Sequence, residues 1–118
     1  NNRYINYMNL LTSAIKYHNS KFFFSKYELT KILNCYSLGV SKGQWRDYAI
    51  FYGKKETSFY MFKHSLASPD YTLTKTNKYK KNDIIYNLKF QNNKVSKFNK
   101  IEDLLALLNR NELKIIQY

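Results

Sequence analysis

The chain has 118 residues, 44% of them apolar and 24% charged, the length of one domain and a composition that supports a packed core rather than disorder. Lysine plus arginine is 20 against 8 for aspartate plus glutamate, a formal charge of +12 with a pI near 9.7, which puts anionic partners first. No apolar run approaches the 18 or more residues that span a bilayer, and nothing reads as a signal peptide.

The first 23 residues predict a helical extension: Tyr4, Met8, Leu11 and Ile15 form one apolar stripe, suited to packing on the domain or on a protein partner. Ser25 to Glu28 then matches a capping box. Leu29, Ile32, Leu33, Tyr36 and Val40 continue at helical spacing, and Gly43 is placed to end the helix or the loop after it. Segments 45–52 and 57–65 are dense in aromatic and β-branched residues. Four residues separate them, which predicts an antiparallel hairpin with Tyr52 opposite Thr57.

After Pro69, residues 71–75 alternate as a third strand, and 76–83 read as a polar loop. Ile84, Tyr86, Leu88 and Phe90 share one strand face, and residues 91–94 turn the chain into Val95 to Phe98 as a second hairpin. Asn99 with Glu102 repeats the cap arrangement ahead of a stripe of Ile101, Leu104, Leu105 and Leu108. Residues 112–118 return as an edge strand or pack as a tail. The expected architecture is α+β: a helix, an antiparallel sheet of four or five strands, and a short helix near the C-terminus, with residues 24–118 as a single core after the extension.

The residues available for chemistry are few. Two histidines, His18 and His64, and one cysteine, Cys35, make no metal cluster, and three glycines build no phosphate-cradling loop, so the expectation is no metal, no cofactor and no enzyme. Cys35 excludes an internal disulfide, and none of the 14 asparagines begins a glycosylation acceptor, which points to the cytoplasm or the mitochondrial matrix. In the predicted register Asp47 lies diagonal to His64, the one conceivable acid–histidine dyad; the plainer role for Arg46 and Asp47 is to hold neighbouring backbone.

The basic residues fall into three groups: Lys54 and Lys55; Lys75, Lys78, Lys80 and Lys81; and Lys94, Lys97 and Lys100, with Tyr52, Tyr79 and Phe98 beside them. Cations that track phosphates and rings that stack on bases suit single-stranded nucleic acid, so Lys54, Lys55, Lys75, Lys78, Tyr79, Lys80, Lys81, Lys94 and Lys97 are the candidate contacts to RNA or a ribonucleoprotein. Lysine outnumbers arginine 17 to 3, which favours general attraction over geometric phosphate readout. An AT-rich genome also enriches Lys, Asn, Ile, Phe and Tyr. The second reading is a protein–protein adapter or accessory subunit docking through Tyr4, Met8, Leu11 and Ile15.

The segment Gly43-Gln44-Trp45-Arg46-Asp47-Tyr48-Ala49 resembles the signature of a small alphaproteobacterial family of unknown function. The helix before it, the Phe59 and Phe62 strand, Pro69-x-Tyr71, Lys75, Lys78 and the leucine helix follow in that family's order, over residues 24–110. The resemblance implies a bacterial or mitochondrial-type origin, marks Trp45, Arg46, Asp47 and Tyr48 as the signature segment, and supplies no catalytic residue.

Overall fold

A serine and a glutamate three residues apart start the first helix. In the computed structural model, which describes residues 22–78 and 83–116, α1 spans Lys26–Ser41. Ser25 Oγ accepts the Glu28 amide at 3.1 Å, and Glu28 Oε1 accepts the Ser25 amide at 2.6 Å, which satisfies two of the orphan donors of the first turn. At the other end the Gly43 amide reaches the Val40 carbonyl (3.0 Å) and the Gln44 amide the Gly39 carbonyl (2.7 Å). This Schellman closure needs a left-handed residue, and Gly43 has φ 75°. The buried stripe of α1 is Glu28, Ile32, Tyr36 and Gly39. Val40, expected on that stripe, is exposed; Gly39 takes its place because only a bare backbone leaves room for the Trp45 indole.

Five strands follow: β1 (Asp47–Tyr52), β2 (Glu56–Phe62), β3 (Tyr71–Lys78), β4 (Asp83–Phe90) and β5 (Val95–Phe98). They form one antiparallel meander in sequence order. Tyr52 pairs with Thr57 and Asp47 with Phe62, as the aromatic alternation predicts. The ends differ. β1 begins at Asp47 because Trp45 turns into the core, so the ladder stops short of the Trp45–His64 pair to which the Tyr52–Thr57 register would extend. β2 stops at Phe62, where Asp70 takes over the next amides. β3 runs three residues beyond Lys75, into the stretch expected to be loop.

Helix α2 spans Ile101–Ile116 and buries Ile101, Leu104, Leu105 and Leu108. It starts one residue too late for Asn99 to be its N-cap, and Glu102 accepts the Tyr27 hydroxyl at 2.6 Å instead. Most of the segment expected as a final strand or tail is the last turn and a half of this helix. The Cys35 thiol donates to Asn109 Oδ1 at 3.3 Å; because Tyr27 meets Glu102 and Cys35 meets Asn109, the two helices run parallel.

Both helices lie on one sheet face. Phe59, Met61, Tyr71, Leu73, Tyr86 and Leu88 point into the layer between, with the helical stripes and Trp45 closing it. No described helix lies on the opposite face, where Phe51 is exposed and Ser58 is buried.

Candidate functional site

Register decides which basic residues meet. In a meander the β1–β2 and β3–β4 connections share one end of the sheet, and the β2–β3 and β4–β5 connections share the other. Lys54 and Lys55 sit in the first connection, closed by the Gly53 amide on the Glu56 carbonyl (2.8 Å). The Asn77 amide donates to the Lys55 carbonyl at 3.1 Å, so the end of β3, with Lys78, lies against this turn. Tyr79, Lys80 and Lys81 lie outside the described residues, as do Tyr4, Met8, Leu11 and Ile15. Lys94 is at the opposite end, in a turn held by its amide on Asn92 Oδ1 (3.0 Å) and by Asn93 at φ 68°. Lys97 is in β5, across from Asn87. The three groups therefore form no single patch: Lys54, Lys55 and Lys78 share one end of the sheet, Lys94 is at the other, and Lys97 lies on the far edge strand in the row of Phe51.

Lys75 is not a surface contact. Its side chain is buried on the helix side of β3, where Nζ donates to Glu28 Oε1 at 2.7 Å and to the Phe23 carbonyl at 3.0 Å. The Phe22 ring lies 4.8 Å from the ammonium. Glu28 also accepts the Tyr86 hydroxyl through Oε2. Burial pushes the Glu28 carboxyl up, but the donors from Lys75, Tyr86 and the Ser25 amide outweigh it and hold the carboxyl below the ordinary carboxylate range. Burial, then the bond to Glu28 and its charge, pushes the Tyr86 hydroxyl up. A phosphate cannot reach this lysine without breaking the cluster, so Lys75 leaves the set of nucleic-acid contacts.

The signature segment divides its work. Trp45 is buried, edge-on to Tyr71 at 5.3 Å. Tyr48 stacks on Phe59 (centroids 5.1 Å, planes 7° apart) and meets Tyr36 edge-on. The Arg46 amide bonds the Phe62 carbonyl at 2.9 Å, and Asp47 Oδ1 accepts the Tyr48 amide at 2.8 Å. Arg46, Asp47, Lys63 and His64 do line one concavity of about 270 Å³. The carboxylate joined to the His64 backbone is nevertheless that of Asp70, whose Oδ2 accepts the amides of Lys63 (2.5 Å) and His64 (3.3 Å). Asp47 and Asp70 are thus tied to backbone amides.

Two features escaped the sequence reading. Asp70 carries no pattern that distinguishes it from a turn residue. The Glu28–Lys75–Tyr86 cluster joins positions far apart in the chain, though the alternation of Tyr71, Leu73 and Lys75 already put Lys75 on the inward face. Among the described residues no three His, Cys, Asp or Glu side chains gather as a metal site, and no helix is long and apolar enough to cross a membrane.

No curated protein and no solved structure matches the chain significantly. A family model does match residues 22–105, from the segment before α1 that covers Lys75 to the second turn of α2. The chain therefore belongs to the DUF2794 family of proteins of unknown function.

Proposed function

We propose that the domain is a non-enzymatic binding module for an anionic polymer, with RNA, free or in a ribonucleoprotein, as the first candidate. The observation that carries it is the fate of the charges. The ion pair formed between described residues is the buried Lys75–Glu28 pair. Three further acids are engaged by internal donors: Asp47 and Asp70 by amides, Glu102 by the Tyr27 hydroxyl. The lysines of the turns face solvent, with Lys54 and Lys55 beside the end of β3. A surface with this surplus draws polyanions over a Debye length and exchanges counterions for phosphates.

Anisotropy of the full chain with labelled RNA at several salt concentrations tests the reading. Binding persists at physiological salt, log Kd varies linearly with log salt, and replacing Lys54, Lys55 and Lys78 by Gln lowers the slope by about 2. Attraction confined to low salt, or a slope unmoved by the triple variant, overturns it.

A further inference from the structure

We infer that residues 1–21 dock as a helix on the outward face of the β1–β2 hairpin, the side of the sheet turned away from α1 and α2. Alternation sends Phe59 and Met61 into the core, so the cross-strand pairs Phe51–Ser58, Ala49–Tyr60 and Asp47–Phe62 face outward. Ser58 is buried and shares a hydrogen bond with Thr74. Phe51, however, is 51% exposed, Ala49 is exposed, and Tyr60 and Phe62 are half-buried. These four side chains make an apolar strip along the hairpin, and no described helix lies over it.

The chain enters the fold beside this strip. The Phe22 amide donates to the Gly53 carbonyl at 2.6 Å, so residues 1–21 lead off from the turn that joins β1 to β2. Within them Tyr4, Met8, Leu11 and Ile15 recur at helical spacing. That stripe is about 17 Å long as a helix, and strands of six and seven residues offer about 20 Å of sheet.

Charge selects the occupant and sets its direction. The charges of the strip are Asp47 at one end and Glu56 at the other, about 20 Å apart, whereas Lys89 and Lys97 belong to β4 and β5. Residues 1–21 carry Arg3, Lys16 and Lys21 and no acid. Arg3 and Lys16 flank the apolar stripe at its two ends, also about 20 Å apart on a helix. A helix that leads down to Phe22 therefore sets Lys16 beside Glu56 at the Gly53 turn and Arg3 beside Asp47. An anionic polymer would meet two acids on this strip and no cation. A second copy brings its own +12, while the tethered segment is held at high effective concentration beside the hairpin.

The test is the rate at which trypsin cuts after Lys16 in the full chain, read by mass spectrometry, because cleavage follows the population of the open segment. The native chain is cut there at least about 10-fold more slowly than a synthetic peptide of residues 1–21. Phe51→Asp and Leu11→Asp each speed the cut by about 10-fold, and the double variant is cut no faster than the faster single, since both remove one contact. Val95→Asp, at the β5 edge of the same sheet face, leaves the rate unchanged. Phe51 and Val95 are exposed, and a circular-dichroism melt checks that all variants fold. Asp47→Lys speeds the cut by about 2- to 5-fold, and adding Arg3→Glu reverses the change. A native chain cut at the rate of the peptide overturns the inference and leaves the stripe for a protein partner. A rate that Phe51→Asp does not move also overturns it. Protection that grows with protein concentration, together with the solution mass of a dimer, overturns it by making the cover a second copy's. No reversal by Arg3→Glu overturns the direction assigned to the helix.

Discussion

Glu28 accepts from three donors on three parts of the chain: the Ser25 amide before α1, Lys75 in β3 and Tyr86 in β4. Its carboxylate thus pins the first turn of the helix to the middle of the sheet. Lys75 and Glu28 side chains are 7% and 8% exposed, so each is costly to leave alone. Glu28→Gln or Lys75→Met lowers stability by about 3–5 kcal/mol, because one buried charge loses its partner. Glu28→Gln with Lys75→Met costs well under the sum of the two single changes, since no charge is then stranded. Denaturant titration of the variants checks this; additive losses refute the coupling.

The same cluster sets the pH range of the fold. The folded Glu28 carboxyl titrates below its ordinary value of 4.5, so the unfolded chain holds that proton more tightly. Its stabilisation is complete above about pH 4.5 and is lost as pH falls through the lowered value. Tyr86 is raised above 10.0, so its contribution is complete below that pH and is lost as pH rises beyond it. Glu28→Gln flattens the acid limb of the stability curve. A native-like acid limb in that variant assigns the loss to other carboxyls.

At the scale of elements, the interlock of α1 with the signature segment is the least forgiving contact. A Cβ on Gly39 would lie 2.1 Å from Trp45 Cδ1, and the indole is wedged between the helix and Tyr71. Gly39→Ala therefore destabilises by about 1–3 kcal/mol, despite the better helix propensity of alanine, and the tryptophan emission shifts to the red as the ring moves outward. Gly43→Ala meets nothing within 4 Å and costs only the strain of its φ, about 1 kcal/mol. Equal losses at the two glycines would count against the wedge.

These elements also show what the sequence could carry. Ser25 with Glu28, the stripe of Ile101, Leu104, Leu105 and Leu108, and the Tyr52–Thr57 register were legible because each depends on neighbours in sequence. Strand ends were not. Trp45 leaves β1 for a glycine six residues earlier, and Asp70 ends β2 by taking its amides from across a loop; both are tertiary decisions. Residues 112–116 alternate like a strand, with Leu113, Ile115 and Ile116, yet belong to α2, because a helix already under way propagates more easily than a new edge strand forms. At the site, the sequence placed Lys54, Lys55 and Lys94 in turns, but Lys75 and Lys78 lie in β3 and Lys97 in β5, and it counted Lys75 with the surface residues although its own alternation turned it inward.

For the whole molecule, the described elements form two layers, and the helical layer supplies the apolar cover of the core face of the sheet. The family match ends at residue 105, but the cover does not. Leu108 is 1% exposed, and Asn109 receives the Cys35 thiol that ties α2 to α1. A fragment of residues 22–105 loses the buried Leu108 and the last three turns of α2. The loss is at least that of a buried leucine, about 2–5 kcal/mol, taken from a total of about 5–15 kcal/mol for a domain of this kind. The fragment is therefore expected to melt without a cooperative transition, whereas residues 22–116 melt cooperatively, and Leu108→Ala in the full chain falls between them. Calorimetry of the three proteins decides it. A fragment 22–105 that melts cooperatively within about 1 kcal/mol of 22–116 would show that the meander and α1 hold the fold without the last three turns of α2.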